Sequence, residues 1–91
     1  MRKIERTTRF KKDFKSVMKQ NYFDKDLFES IVYKLANDIP LEEKYKDHNL
    51  HGEYEGAREC HIKPDWLLVY VKTEDGLTLV MTRTGTHSDL F

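Results

Sequence analysis

The sequence has little cysteine, no long apolar run and no excess of charge of either sign. Its single cysteine, Cys60, excludes an intrachain disulfide and is consistent with a reducing cytoplasm. No apolar run approaches the roughly 18–20 residues of a transmembrane helix, and the N-terminus lacks the apolar region of a signal peptide. We therefore expect a cytoplasmic chain without a membrane partner. The 16 Lys and Arg residues balance the 16 Asp and Glu residues, which excludes a polycation that binds nucleic acid through bulk charge alone.

What the sequence contains is enough for one small domain over residues 1–91, because a domain usually takes roughly 100–200 residues. Hydrophobic residues make up 38% and aromatic residues 12% of the chain, which excludes a disordered tail. A domain of this size buries only about 60% of its unfolded surface, which favours a stabilising partner protein.

The neutral total hides a basic N-terminal segment. Residues 1–20 carry eight Lys or Arg and two Asp or Glu, whereas residues 21–47 and 48–91 each carry four basic and seven acidic residues. The basic segment is compatible both with binding to phosphate or an acidic partner and with an ordinary solvated helix face.

The N-terminal half predicts two helices after a short edge strand at residues 2–7. The first begins near Thr8, and its apolar side chains recur with helical spacing. The second is capped by Asp24, whose carboxylate can accept a bond from a free amide, and is ended by Pro40. The apolar stripes are Phe10, Phe14, Val17 and Met18 in the first helix, and Leu27, Phe28, Ile31, Leu35 and Ile39 in the second.

The C-terminal half predicts a long loop followed by an antiparallel meander. Residues 41–56 have no sustained period, and long loops in compact domains are often functional. Three strands are expected at 57–63, 66–72 and 77–83, separated by turn signals. Two helices followed by such a meander indicate an α+β fold.

The strand register predicts a cluster of polar side chains. A two-residue turn at Pro64–Asp65 places His61 opposite Leu68, and the next turn places Trp66 opposite Arg83. Because directly paired residues share a sheet face, His61, Trp66 and Arg83 are expected on one face. Asp65 lies at the same end, and His87 follows soon after the last strand. The opposite, helix-covered face is expected to carry Cys60, Ile62, Leu67, Val69, Val71 and Val80.

Three kinds of chemistry are conceivable for this cluster. A structural zinc is disfavoured because Cys60 and His61 are adjacent on a strand and point to opposite faces. Asp65 and His87 are further possible ligands, and His48 and His51 lie close together in the loop, but no second matching pair follows. A Cys60 nucleophile is also disfavoured, since its predicted position makes it a small buried hydrophobe. Metal-free acid–base cleavage of RNA is favoured, because imidazole can take and give protons near neutral pH.

In this third interpretation, two histidines flank a phosphodiester, one taking the 2′-hydroxyl proton and one protonating the departing 5′-oxygen. Arg83 would hold the phosphate, and Trp66 and Phe91 would stack on bases. Each residue also has an ordinary structural interpretation: Trp66 as core, Arg83 as the partner of Asp65, and each histidine as a surface residue.

Three segments together resemble the RelE superfamily of bacterial toxins and, within it, the YafQ branch. They are KDH at 46–48, GARECHIKPDW at 56–66 and RTGTHSDLF at 83–91. The resemblance is close over residues 46–91 and covers residues 1–45 only in helix layout. It implies a small mixed, mainly antiparallel sheet with two N-terminal helices packed on one face.

The resemblance also implies a function. The implied protein is a metal-independent endoribonuclease toxin, which cuts mRNA in the ribosomal A site by attack of the 2′-hydroxyl and uses no cofactor. The implied partners are a cognate antitoxin (a small acidic or DNA-binding protein), the ribosome and mRNA, with operator DNA bound only through the antitoxin complex. The implied catalytic residues are His48, His61, Asp65 and His87. The expected substrate-binding residues are Lys46, Trp66, Arg83 and Phe91.

The expected roles are His87 as general acid, Asp65 or His61 as proton acceptor, and His48 as the residue that positions the phosphate. One departure from the family is the neutral charge of this chain, since such toxins tend to be basic. The basic first helix is expected to provide the ribosome contact. Two alternatives stay open: an inactive module that binds antitoxin and operator DNA, and a ParE-like toxin directed against DNA gyrase.

Overall fold

A five-stranded sheet with strand order β1-β5-β4-β3-β2 forms the centre of the molecule. A computed structural model describes all of residues 1–91. β1 pairs in parallel with β5, and the other neighbours are antiparallel. The elements are β1 (Lys3–Arg6), α1 (Thr8–Val17), α2 (Lys25–Ala36), β2 (His48–Asn49), β3 (Arg58–Lys63), β4 (Trp66–Lys72), β5 (Thr78–Gly85) and α3 (His87–Leu90).

The predicted α+β class, the mixed sheet, the edge strand and the two helices on one face are confirmed. Thr7 caps α1 by accepting a bond from the amide of Phe10 at 3.0 Å. Asp24 caps α2 through the amide of Leu27, also at 3.0 Å. No helix has the length and apolar character that would let it cross a membrane.

The predicted loop at 41–56 is more structured than its sequence indicates. Two single turns of 3-10 helix, Glu43–Tyr45 and Gly52–Tyr54, stand on either side of β2, which adds a fifth strand to the sheet. The short helix α3 was also not predicted. Its N-terminus is fixed by a capping box between Thr86 and Asp89.

The predicted strand register is wrong at two places. An irregularity at Ile62 places His61 opposite Leu67. A second one at Thr82, together with a longer turn, places Arg83 opposite Val69. A slip of one residue moves a strand's side chains to the other face.

The core therefore lies on a different set of side chains from the one predicted. Cys60 and Ile62 do face α1 and α2, as expected. The other members of the helix-facing layer are Trp66, Leu68, Tyr70, Leu79 and Met81. Leu67, Val69 and Val71, which were expected there, lie on the opposite face in a smaller cluster with Ala57 and Leu90. Val80 was misplaced too, since it pairs with Val71 and shares its face.

A candidate active site on the open face of the sheet

The face of the sheet opposite to α1 and α2, which we call the open face, carries a row of three histidines. His48 lies on β2, His61 on β3, and His87 at the start of α3. The ring centroids of His48 and His61 are 6.2 Å apart, and those of His61 and His87 are 5.5 Å apart. Residues far apart in the sequence are thus brought together, with His61 between the other two.

Asp65, in the turn between β3 and β4, holds the last histidine of this row. Its Oδ1 accepts bonds from the backbone amide of His87 at 3.0 Å and from Nδ1 of the same residue at 2.5 Å. These two bonds lower the pKa of Asp65 below its ordinary value. Because Nδ1 is engaged by the carboxylate, Nε2 of His87 is left for a substrate.

The other two histidines share a carboxylate, Glu59, that was not predicted as a site residue. Oε1 of Glu59 lies 3.5 Å from Nε2 of His48 and 3.7 Å from Nε2 of His61. Glu59 is only 5% exposed, and its Oε2 is buried without a hydrogen-bond partner. A sequence signal existed, because Glu59 and His61 are two apart on one strand and therefore share a face.

Backbone carbonyls fix how these two rings are turned. Nδ1 of His48 donates to the carbonyl of Lys46 at 2.6 Å, and Nδ1 of His61 donates to the carbonyl of Pro64 at 3.2 Å. A carbonyl can only accept, so the proton lies on Nδ1 in each neutral ring and Nε2 faces Glu59.

The same three side chains have the donor set of a transition-metal site. One ligand atom from each of His48, Glu59 and His61 can be chosen so that all lie within 4.8 Å of one another. Imidazole nitrogens whose other ring nitrogen is fixed by a carbonyl, together with a carboxylate, suit zinc or copper. His51 and Cys60, two other candidate zinc ligands in the sequence, lie outside this group.

Arg83 reaches the edge of the open face, and its partner is not the predicted Asp65. Its Nε and Nη2 donate to the carboxylate of Asp13 on α1 at 2.7 and 3.2 Å. Asp13 also accepts the amide of Thr84 at 3.2 Å. Asp13 was missed because no local pattern connects positions that are 70 residues apart.

Phe91 and Lys46, two of the expected substrate-binding residues, are exposed. The ring of Phe91 is 63% exposed and packs edge-to-face on Tyr54, with centroids 5.6 Å apart. Lys46 adopts a left-handed conformation with φ of 48° just before β2, and its side chain faces solvent. Both side chains are thus open to solvent, and Lys46 contacts the histidine row through its backbone carbonyl, which accepts a bond from Nδ1 of His48.

Trp66 does not lie on the open face, and its burial leaves no exposed ring for the expected stacking on a base. Its side chain is completely buried among the rings of Tyr22, Phe23 and Phe28. Its Nε1 donates to Oγ1 of Thr84 at 3.0 Å. The register slips described above turn this side chain towards the helices.

Cys60 is buried on the helix-facing side, as the sequence predicted. Burial raises the pKa of its thiol well above the ordinary value, so the reactive thiolate is suppressed. Nucleophilic catalysis by this residue is therefore not supported.

Comparisons with known proteins fit this arrangement. A family model described as "Bacterial toxin of type II toxin-antitoxin system, YafQ" matches residues 2–91. The mRNA interferase toxin YafQ of Escherichia coli K12 is 38% identical over 90 residues, covering 99% of this chain and 96% of its own length. A metal-bound toxin from Helicobacter pylori superposes with a TM-score of 0.91 at 47% identity, covering 100% of both chains. The toxin in the E. coli DinJ–YafQ complex gives 0.86 at 38% identity, covering 100% and 99%.

Proposed function

This chain belongs to the YafQ family of bacterial toxins of type II toxin–antitoxin systems, and we propose that it stops translation by cutting mRNA on the ribosome. The E. coli relative is named an mRNA interferase. The observation that carries the proposal is the row His48, His61 and His87, with Asp65 bonded to the last of them. Such a row supplies two separate proton-transfer groups across a single phosphate.

We assign the general acid to His87. Asp65 holds Nδ1, so that Nε2 is the ring nitrogen left to protonate the departing 5′-oxygen. The expected alternative, Asp65 as proton acceptor, is less well supported because its Oδ1 already accepts two bonds from His87. Asp65 is better described as the residue that orients the acid.

We assign the proton acceptor to His61, whose ring is 5.5 Å from that of His87. Its neutral form accepts the 2′-hydroxyl proton, the 2′-oxygen bonds to phosphorus, and the bond from phosphorus to the 5′-oxygen breaks. His87 gives its proton to that oxygen, so the products are a 2′,3′-cyclic phosphate and a 5′-hydroxyl. Glu59 stabilises the imidazolium that forms at His61, since it lies 3.7 Å from Nε2.

The remaining residues bind the substrate. His48 would support the phosphate from the other end of the row, and Arg83 would hold it with a guanidinium already oriented by Asp13. Phe91 offers an exposed ring for a base, and Lys46 an exposed ammonium for the backbone.

The exposed lysines near the N-terminus and a complex formed by a relative indicate the partners of this chain. The exposed lysines on α1 and in the turn just after it form a basic surface that suits ribosomal RNA, although the whole chain is neutral. E. coli YafQ forms a complex with DinJ, and we propose that this chain has a cognate antitoxin whose acidic segment folds on binding. Operator DNA would be bound only through that complex. The lysines are Lys11, Lys12, Lys15 and Lys19.

We propose that the cleavage needs no metal, although a relative is metal-bound. A cation held by His48, Glu59 and His61 would occupy the Nε2 lone pair that His61 needs as a base. A bound metal would supply Lewis-acid stabilisation, but only by replacing the proton acceptor of the assigned mechanism.

The products test the proposal. Purified protein is stripped of transition metals and incubated with programmed ribosomes in a Mg²⁺ buffer that contains a chelator selective for zinc and copper, and the ends of the fragments are identified. Fragments with a 2′,3′-cyclic phosphate and a 5′-hydroxyl are expected. Intact message would support an inactive binding module, and loss of DNA supercoiling by gyrase without cleavage would support the gyrase-directed alternative.

A further inference from the structure

Arg58, the arginine of the GARECHIKPDW segment, has no part in the chemistry assigned above. It pairs with Tyr70 and therefore shares the helix-facing side of the sheet, whereas the histidine row lies on the open face. Its guanidinium nevertheless contacts both neighbours of His48. Nε and Nη2 lie 3.3 and 3.2 Å from the carboxylate of Asp47, and Nη1 donates to Oδ1 of Asn49 at 2.7 Å.

Tyr70 ties this group to the core. Its side chain is completely buried, and its hydroxyl donates a short bond to Oδ1 of Asp47. Burial raises the pKa of Tyr70 well above the ordinary value, so the hydroxyl stays protonated and remains a donor. Asp47 is thus held by two side chains that belong to adjacent central strands.

The strand that carries His48 has little else to hold it. β2 consists of two residues and pairs with β3 only through His48 with Glu59 and Asn49 with Arg58. It lies at the edge of the sheet, and the side chain of His48 is 46% exposed. Short edge segments with few buried contacts open readily.

We propose that Arg58 is a positioning residue for His48 in RNA cleavage: its planar fork fastens Asp47 and Asn49, so that the strand between them presents Nε2 of His48 beside Glu59. The inference rests on the proposed nuclease function. A lysine at this position would not replace the arginine, since an ammonium cannot bridge two side chains with a fixed geometry.

The test compares Arg58→Lys with a matched control at the opposite edge of the sheet, Arg2→Lys. Arg2 also holds an aspartate, Asp38, and two backbone carbonyls. For each protein we would measure kcat and KM on programmed ribosomes, and the ring-proton resonances of the histidines by NMR. Asn49→Ala removes the contact between Nη1 of Arg58 and Oδ1 of Asn49. Because Asn49 is exposed, this variant replaces Arg58→Lys in the test if Arg58→Lys does not fold.

Arg58→Lys, or Asn49→Ala in its place, is expected to lower kcat about tenfold or more, with KM within about twofold, because small misplacements of a reacting group are costly. The ring resonances of His48 should move and those of His87 should stay. Arg2→Lys should keep kcat within about twofold.

Equal losses of kcat in the Arg58 and Arg2 variants, or unmoved His48 resonances, would overturn the inference. If the native chain did not cleave RNA at all, the proposed function would fail, while the His48 resonances would still decide whether Arg58 positions that ring.

Discussion

One carboxylate oxygen of Asp65 accepts both the backbone amide and Nδ1 of His87. The contact joins the β3–β4 turn to the first residue of α3, so it fixes where the helix begins as well as how the ring is turned. These bonds lower the pKa of Asp65. The carboxylate therefore stays ionised throughout the range in which imidazoles titrate.

Asp65→Asn should lower kcat by about ten- to a hundredfold, because the ring of His87 loses its charged partner.

The sign of the pH effect on stability follows from the lowered pKa. The contribution of ionised Asp65 to the free energy of unfolding is complete above the ordinary aspartate range and is lost as the pH falls through the lowered pKa. The difference in free energy of unfolding between native and variant should thus be present from about pH 5.5 upward and shrink below about pH 4. Urea unfolding at several pH values measures it, and a difference that persists at low pH would contradict this role.

Substitution of Trp66 should lower stability and spare cleavage, whereas substitution of Phe91 should lower cleavage and spare stability. Trp66→Phe loses buried area and the bond to Thr84, so it should lower the free energy of unfolding by about 1–3 kcal/mol with kcat of the folded fraction little changed. Phe91→Ala should lower cleavage without loss of stability, because its ring is exposed. Thermal unfolding and cleavage rates of the same preparations decide. A Trp66 variant that lost activity but kept stability would restore the stacking role.

Zinc or copper should inhibit cleavage, because the ion would take the Nε2 atoms of His48 and His61 beside Glu59. Calorimetric titration should show affinity at least about tenfold weaker in His48→Gln. His51→Gln is the control, since His51 lies outside the cluster. Stimulation of cleavage by the metal, reversed by EDTA, would contradict the metal-free mechanism.

Charge reversal on α1 should abolish ribosome binding more than folding. The variant combines Lys11→Glu, Lys12→Glu and Lys15→Glu. A control with the same change of net charge at exposed lysines elsewhere combines Lys3→Glu, Lys25→Glu and Lys44→Glu. Sedimentation with ribosomes at several salt concentrations should show loss of binding in the first variant only. Equal loss in both would indicate a bulk-charge effect, and retained binding in the first would refute the assignment.

Local signals in the sequence were sufficient for α1 and α2 and their N-terminal caps, because an apolar stripe and a capping side chain act within a few residues. They placed the end of α2 too late, since the helix ends at Ala36 and not at Pro40, and Ile39 is exposed. They also placed His61, Asp65 and His87 at one end of the sheet. They failed for Trp66, because the irregularities at Ile62 and Thr82 shift the register and leave no mark in the pattern.

Contacts between distant positions were beyond prediction from pattern alone. Arg83 meets Asp13 only because α1 packs along β5. Glu59 could have been found from its spacing to His61, but its burial between two histidines depends on β2, a strand too short to be recognised.

The most direct test of the account is primer extension on a defined mRNA, with and without programmed ribosomes, comparing the native chain with His87→Gln. We expect cuts that require the ribosome and disappear in the variant, because the general acid is removed while the sheet is unchanged. Cuts of equal strength in both proteins would contradict the role of His87, and the absence of cuts with the native chain would contradict the nuclease function itself.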